Sequence, residues 1–123
     1  MCVCVCVCVC VAWCPLGGDP IGGLNRLFKR HGDRQLKIRR TLRSVGDEMG
    51  IKDETVVALT WLLTHPLKFI PLLGTTNLEH MRSQVTAFEY EGKMSNEQWW
   101  AIGAKGGLCA MGDDQCNYSE YMP

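Results

Sequence analysis

The residues with the clearest capacity for chemistry follow the short apolar run at 69–73, where the chain reads GTTNLEH over 74–80. The run predicts a buried strand that ends at Gly74. Thr76, with Glu79 three residues later, matches a capping box that begins a helix. A helix that starts at the carboxyl end of a strand presents free N–H groups and a positive dipole end. This stretch therefore predicts an anion-binding site, with a phosphate as the typical ligand.

A second stretch that could approach a ligand is the glycine-rich loop at 17–23. Its four glycines let the backbone come close to a bound molecule. Their spacing matches neither the dinucleotide-binding fingerprint nor the phosphate loop with its lysine. The residues alone favour a plain surface loop over a ligand site.

The cysteine count is a poor guide to chemistry, because five of the eight cysteines alternate with valine over 2–10. As a strand, this segment would carry its cysteines on one face and offer thiolates to a metal. Translation of a repeated TG dinucleotide gives the same alternation without selection, and the low complexity favours that origin. The segment lacks the basic region of a signal peptide and is too short to cross a membrane. The other three cysteines are typical of a reducing, cytoplasmic setting.

Charge argues against nucleic acid or an anionic membrane as a partner. Thirteen basic and thirteen acidic residues give a formal net charge of zero. Seven of the basic residues lie between 29 and 43. Four of the seven, at 37, 39, 40 and 43, fall within a predicted helix at 35–49, mostly on its outer face, while Ile38, Leu42 and Val45 recur at helical spacing. A solvated face is favoured over a nucleic-acid patch, because no aromatic residues interleave with the basic ones.

The elements that position these residues follow from apolar periodicity and helix-end signals. In order, they are a strand at 11–16, helices at 35–49 and 55–64, the strand at 69–73, and helices that start near 77 and 96. Asp53 and Ser95 supply N-caps, Gly50 ends the first helix, and His65 is a helix-terminus residue rather than a base. Strands separated by helical crossovers pair in parallel, which predicts an α/β architecture.

Four motifs in this order resemble the C-terminal part of the aldo-keto reductase family, in particular its YdhF-like branch of NADP-dependent oxidoreductases. They are AWCPLGG at 12–18, VALTWLLTHP at 57–66, IPLLGTTNLEH at 70–80 and MSNEQWW at 94–100. The resemblance implies a C-terminal fragment of the family's (β/α)8 TIM barrel, about its last two strand–helix units. The domain divisions are then a low-complexity Cys-Val repeat at 1–10, the barrel part at 11–108 and an irregular tail at 109–123.

The resemblance also implies a nicotinamide dinucleotide cofactor, NADP(H), and a carbonyl substrate. The loop after the family's seventh strand lies against the nicotinamide and the pyrophosphate, and the loop after the eighth strand holds the adenosine end with its 2′-phosphate. The residues that occupy these places are Cys14, Leu16, Gly17 and Gly18 in the first loop, and Gly74, Thr75, Thr76, Asn77, His80 and Gln84 in the second.

The sequence departs from the family pattern at several of these positions. The family commonly has an arginine where His80 stands and an asparagine where Gln84 stands, and often a serine where Cys14 stands. A neutral imidazole lacks the bidentate fork of a guanidinium, so His80 would hold a 2′-phosphate less tightly. The choice between NADPH and NADH therefore stays open.

The catalytic residues that the resemblance calls for are missing. In the family a tyrosine supplies the proton, tuned by a lysine and an aspartate and flanked by a histidine, and all four come from early barrel strands. Tyr90, Tyr118 and Tyr121 lie in the wrong segments. We therefore assign no catalytic and no metal-binding residue, and expect this chain to be inactive alone.

An alternative is a non-catalytic module that binds a nucleotide, a partner through open strand edges, or a metal through the Cys-Val tail. Open edges are expected because two strands of an eight-stranded barrel lack their outer neighbours. Ala12, Trp13, Ile70 and Leu72 would then lose about half of their contacts.

Overall fold

The computed structural model of the chain describes residues 2–5, 9–13, 15–16, 26–29 and 32–106. Its elements are β1 (Cys2–Val5), β2 (Val9–Trp13), α1 (Arg26–Lys29), α2 (Asp33–Met49), α3 (Glu54–Leu63), β3 (Ile70–Leu72), α4 (Leu78–Val85), a 3-10 helix (Thr86–Tyr90) and α5 (Asn96–Gly106). The predicted helices at 35–49 and 55–64 are present as α2 and α3. The tail predicted at 109–123 lies outside the described residues.

The three strands form one sheet in the order β1-β2-β3. β2 and β3 are parallel, with Val11 opposite Ile70 and Trp13 opposite Leu72. This confirms the parallel pairing that the helical crossover predicts. β1 and β2 are antiparallel, so the Cys-Val repeat contributes two paired strands rather than one.

Helix α2 packs one side on the core and ends at a left-handed glycine. Leu42 and Val45 are buried. Gly50 has a φ of 74°, which glycine adopts without strain, and the predicted stop at this residue is confirmed. A Cβ at Gly46 would lie 2.6 Å from the Ile51 carbonyl oxygen, so this position needs glycine for the chain to return towards α3.

Helix α3 lies at the centre of the core. The Asp53 side chain caps its start and accepts a hydrogen bond from the Thr55 N–H at 2.8 Å, as the sequence predicts. Thr60 is fully buried, and its hydroxyl donates to the Ala87 carbonyl at 3.5 Å. The buried apolar residues of the helix are Val56, Val57, Leu59 and Leu63.

Helix α5 is fixed at its start and along its packed side. The Ser95 N–H donates to Gln98 Oε1 at 3.0 Å and the Gln98 N–H donates to Ser95 Oγ at 3.2 Å. This capping box confirms the N-cap predicted at Ser95. Trp61 and Trp99 stack with ring centroids 5.0 Å apart. Each indole N–H donates to the carbonyl of the other residue, at 2.8 and 2.9 Å. This reciprocal pair joins α3 to α5.

The apolar residues that follow β3 recur at helical spacing, but their side chains are exposed to solvent. Helix α4 ends at Val85 and the chain continues as the 3-10 helix. Leu78, Met81, Val85 and Phe88 are 57%, 39%, 50% and 55% exposed. An amphipathic helix of a closed domain buries such a stripe, so this part of the surface departs from the usual pattern.

Strand β3 shares this exposure. Ile70 and Leu72 are each 49% exposed, so the prediction of a buried strand is wrong for these two residues, whereas the expectation that they lack part of their packing is confirmed. Ala12 of β2 is half-buried, and the side chain of Trp13 lies outside what the structure describes. Within the described part of the chain, no helix has the length and apolar character needed to cross a membrane.

Candidate functional site

The candidate site begins where two parallel strands end side by side. Trp13 closes β2, Leu72 closes β3, and these residues are register partners. The chain therefore leaves both strands at the same edge of the sheet. In α/β proteins, ligands bind beyond this carboxyl edge, and the candidate residues of the sequence follow one or the other strand.

After β2, the structure describes one of the four candidate residues. Leu16 is half-buried and packs against the core. Its carbonyl accepts a hydrogen bond from the Leu27 N–H at 3.3 Å, which ties it to α1. Cys14, Gly17 and Gly18 lie outside the described residues.

After β3, the chain enters α4 through Asn77, which is the N-cap of the helix. Asn77 Oδ1 accepts hydrogen bonds from the N–H groups of Glu79 at 2.9 Å and His80 at 3.3 Å. The Asn77 N–H in turn donates to Thr75 Oγ1 at 3.2 Å. Short polar side chains of the loop thus fix its own backbone.

The predicted cap at Thr76 and its capping box with Glu79 are wrong. With Asn77 as the cap, Glu79 is the second residue of the helix, one short of the third position that a capping box needs. The Glu79 carboxylate instead pairs with Arg82 Nη1 at 3.2 Å. Asparagine ranks above threonine as an N-cap, which favours the observed start.

This cap changes what the helix start offers to an anion. Two first-turn N–H groups already donate to Asn77 Oδ1, so an anion must displace that oxygen or bind beside it. A Cβ built at Gly74 meets no atom within 4 Å. The backbone there is open to a ligand, and the fold itself does not require a glycine.

The remaining candidates of this loop are accessible from solvent. The exposed ones are Gly74, Thr76, Asn77 and His80, and the half-buried ones are Thr75 and Gln84. Five of the six lie within the seven residues 74–80, so the structure keeps them together as the sequence suggests. Their contact with a cofactor stays a prediction.

A hydrogen bond that sequence reasoning missed joins α4 to the residue that caps the start of α3. Ser83 Oγ donates to Asp53 Oδ2 at 2.6 Å, across 30 residues of sequence. Partial burial alone would raise the pKa of Asp53, but the hydrogen bonds from Ser83 and from Thr55 outweigh it and hold the pKa below its ordinary value. No local signal in the sequence marks this partnership.

One of the three tyrosines of the chain lies within the described residues. Tyr90 closes the 3-10 helix and packs against the core, with the Lys93 ammonium 5.5 Å from its ring centroid. Tyr118 and Tyr121 lie outside the described residues. His65 Nδ1 accepts from the Leu67 N–H at 3.1 Å, which fits its prediction as a helix-terminus residue.

Burial lowers the pKa of His65 below its ordinary value, so its imidazole is mostly neutral at pH 7. Its ring lies against Phe69 and Trp99, with centroids 4.7 and 5.6 Å away. Within the described part of the chain, no three histidine, cysteine or acidic side chains converge as a metal site.

The basic face of α2 is partly neutralised within the chain. Arg39 Nε and Arg43 Nε both donate to the Glu54 carboxylate, the first at 3.0 Å. Partial burial would raise the pKa of Glu54, but these two guanidinium groups hold it below its ordinary value. The Arg39 guanidinium also lies over the Phe28 ring, 5.7 Å from its centroid.

A shallow cavity of about 360 Å³ lies between α2 and α5, away from the candidate loop. Its polar lining includes Thr41, Ser44, Glu48 and Ser95. None of the candidate cofactor residues contributes to it, so it has no part in the site after β3.

Comparison with known proteins identifies sequences that are similar to this chain. The sequence model of the Aldo/keto reductase family matches residues 9–106. A 6-dehydroglucose reductase of Agrobacterium fabrum is 34% identical over 88 residues, which cover 72% of this chain and 27% of the relative. No solved structure matches the chain at a significant level.

Two proteins of Bacillus subtilis are also similar. The uncharacterized oxidoreductase YcsN is 31% identical over 91 residues, which cover 74% of this chain and 28% of the relative. The uncharacterized oxidoreductase YrpG is 36% identical over 88 residues, 63% of this chain and 26% of the relative. The chain thus spans little more than a quarter of the relatives that it matches. Because the family model covers most of its length, this chain belongs to the aldo/keto reductase family.

Proposed function

We propose that this chain provides the part of an NADP(H) site that holds the adenosine end and its 2′-phosphate, in an oxidoreductase that transfers hydride to a carbonyl. One observation carries the proposal. Within the family match at 9–106, β3, its polar loop and α4 form a strand, a turn and a helix start that is open to solvent. Phosphate groups commonly bind at such a helix start.

The proposed roles follow from the chemistry of each group. Gly74 leaves room for a phosphate close to the backbone, since no atom lies within 4 Å of the position that a Cβ would take there. The N–H groups of Glu79 and His80 become phosphate donors once the Asn77 side chain turns aside. The His80 imidazole lies on the exposed surface of the first turn, where it would face the 2′-phosphate. The cofactor, when bound, supplies the hydride.

The chain alone is proposed to bind but not to catalyse. The family's catalytic aspartate, tyrosine, lysine and histidine have no counterpart among the residues assigned above. The chain also spans only 27% and 28% of the first two relatives, so the reaction belongs to the family enzyme as a whole. The Agrobacterium relative is named for 6-dehydroglucose, and a carbonyl compound of that kind, reduced in the cytoplasm, is the proposed substrate class.

A calorimetric titration of the purified chain tests this function. NADPH and 2′,5′-ADP are expected to bind saturably, because both carry the adenosine 2′-phosphate, and nicotinamide mononucleotide is expected not to bind. A carbonyl reduction assay with the same chain is expected to stay at background. The absence of saturable binding by both phosphate-bearing ligands would refute the proposal.

A further inference from the structure

Helix α4 carries the proposed phosphate contacts, but little packing holds it in place. The structure describes all eight of its residues, and none of them is buried. Its large apolar side chains, those of Leu78, Met81 and Val85, are exposed. Most helices in proteins are held by an apolar face that packs against the core. The orientation of α4 therefore depends on contacts of another kind.

One such contact is the hydrogen bond between Ser83 and Asp53. Ser83 Oγ donates to Asp53 Oδ2 at 2.6 Å, a distance that is typical of a hydroxyl bonded to a carboxylate. Hydrogen bonds to a charged acceptor are stronger than those between neutral groups. This contact thus joins the middle of α4 to a residue of another element.

Asp53 is itself fixed by the helix that it caps. Its Oδ1 accepts a hydrogen bond from the Thr55 N–H at 2.8 Å at the start of α3. Val57 and Thr60 of that helix are completely buried. The two oxygens of one carboxylate therefore serve two helices, and the central helix of the core becomes the reference for the position of α4.

Ser83 lies beside candidate cofactor residues in the sequence of α4. His80 precedes it by three residues and Gln84 follows it directly. Residues three or four apart lie on the same side of a helix, and three residues rise by about 4.5 Å along the helix axis. The hydrogen bond to Asp53 therefore fixes α4 within one turn of His80.

We propose that Asp53 is a positioning residue for the site after β3, and that it acts through Ser83. It sets the orientation of α4, and so the direction in which the N–H groups of Glu79 and His80 meet the adenosine phosphates. A carboxylate repels a phosphate, which excludes a direct contact between Asp53 and the cofactor. The inference rests on the proposed function, because it says how that site is held.

Removal of the Ser83 hydroxyl tests the proposal. Ser83→Ala leaves the Asp53 cap of α3 in place, and calorimetry is expected to show 2′,5′-ADP binding about threefold to tenfold weaker, because α4 is less often in position. Ser83→Thr keeps a hydroxyl and is expected to restore most of the affinity. Ser44→Ala is the matched control, an exposed serine of α2 away from the loop, and is expected to bind as the natural chain does.

Hydrogen exchange of the backbone amides, measured without ligand, separates positioning from a loss of overall stability. In Ser83→Ala the amides of α4 are expected to exchange at least about threefold faster, whereas those of the buried residues of α3 keep their rates. A general loss of stability would speed exchange in both helices alike, and that result would contradict the proposal.

A double-mutant cycle tests whether Ser83 acts together with Asp53. Asp53→Asn keeps a good capping residue at the start of α3 but removes the charge that Ser83 meets. In this background Ser83→Ala is expected to weaken 2′,5′-ADP binding less than it does in the natural chain. An equal loss in both backgrounds would show that Ser83 acts without Asp53 and would overturn the proposal.

The binding results distinguish this inference from the proposed function. If the natural chain does not bind 2′,5′-ADP saturably, the proposed function is refuted and the role of Asp53 falls with it. If the natural chain binds and Ser83→Ala binds equally well, the role of Asp53 alone is overturned. The same holds if Ser83→Thr binds as weakly as Ser83→Ala.

Discussion

At the scale of single residues, the proposed cofactor site depends on His80 and Asn77. His80 stands at an exposed position in the first turn of α4, where the family resemblance implies an arginine. An imidazole lacks the planar fork with which a charged guanidinium binds two phosphate oxygens at once. The discrimination between NADPH and NADH is therefore expected to be small in this chain.

His80→Arg is expected to tighten NADPH binding at least about tenfold and to leave NADH binding nearly unchanged, because a charge-assisted hydrogen bond contributes about 1.5–3 kcal/mol. Parallel calorimetric titrations with the two cofactors check this prediction. His80→Gln is the matched control, since it is neutral and should not tighten binding. Equal gains for both cofactors in the arginine variant would contradict a 2′-phosphate contact at this position.

Asn77→Ala is expected to lower the free energy of unfolding by about 1 kcal/mol, because it removes the N-cap of α4. Thr76→Ala is the control and is expected to change stability little, since Thr76 precedes the cap. Urea denaturation of the two variants measures both effects. A larger loss for Thr76→Ala would restore the cap position that the sequence predicted.

The residues that the sequence located correctly are those whose partners are local. Asp53 bonds Thr55, and Ser95 bonds Gln98, so a short window contains both groups. The cap at 76–77 was missed because two good capping residues stand side by side, and only the path of the chain from β3 selects one. The Ser83 contact with Asp53 was missed because its partners are 30 residues apart.

At the scale of elements, side-chain hydrogen bonds near both ends of α3 join it to neighbouring helices. Its first turn reaches α4 through Asp53 and Ser83, and its last turns reach α5 through Trp61 and Trp99. The periodicity of the sequence predicted α2 and α3 well, because buried apolar residues recur on one face. It could not say which helices touch, since contact between helices depends on the side chains of both partners.

The tryptophan pair is expected to stabilise the contact between α3 and α5. Trp99→Phe keeps an aromatic ring but leaves the Trp61 carbonyl without its donor, and is expected to cost about 1–3 kcal/mol. A double-mutant cycle with Trp61→Phe, followed by urea denaturation, measures the coupling between the two rings. Additive losses would show that the two indole groups act independently.

Acid is expected to weaken the attachments of α3. The pKa values of Asp53 and Glu54 are lowered in the folded chain, so the stability that they contribute is present above their unfolded pKa values. It is lost as the pH falls from the unfolded pKa values through the lower folded ones. Urea midpoints between pH 7 and pH 2.5 measure this loss.

Asp53→Asn is expected to reduce the change of the urea midpoint with pH in acid, because the amide does not titrate. Ser83→Ala is expected to have the same effect to a smaller degree, since it removes one of the hydrogen bonds that lower the pKa of Asp53. An unchanged profile in both variants would place the titrating group elsewhere.

At the scale of the whole molecule, the chain combines a closed helical core with an open strand edge. Leu42, Val57 and Leu59 are almost completely buried, whereas Ile70 and Leu72 remain half exposed. The sequence predicted the parallel pairing of β2 and β3, because neighbouring strands that are joined by a helical crossover usually pair in parallel. It could not predict the antiparallel pairing of β1, because an alternating Cys-Val repeat carries no information on register.

The loop after β3 is proposed to hold the adenosine phosphates of NADP(H). The most direct test is a titration of the isotope-labelled chain with 2′,5′-ADP, followed by amide chemical shifts in a two-dimensional NMR spectrum. We predict saturable shifts confined to residues 74–80 and Gln84, with the largest at Glu79 and His80 as the Asn77 cap is displaced. Shifts that map instead to the cavity between α2 and α5, or no saturable shift at all, would contradict the claim.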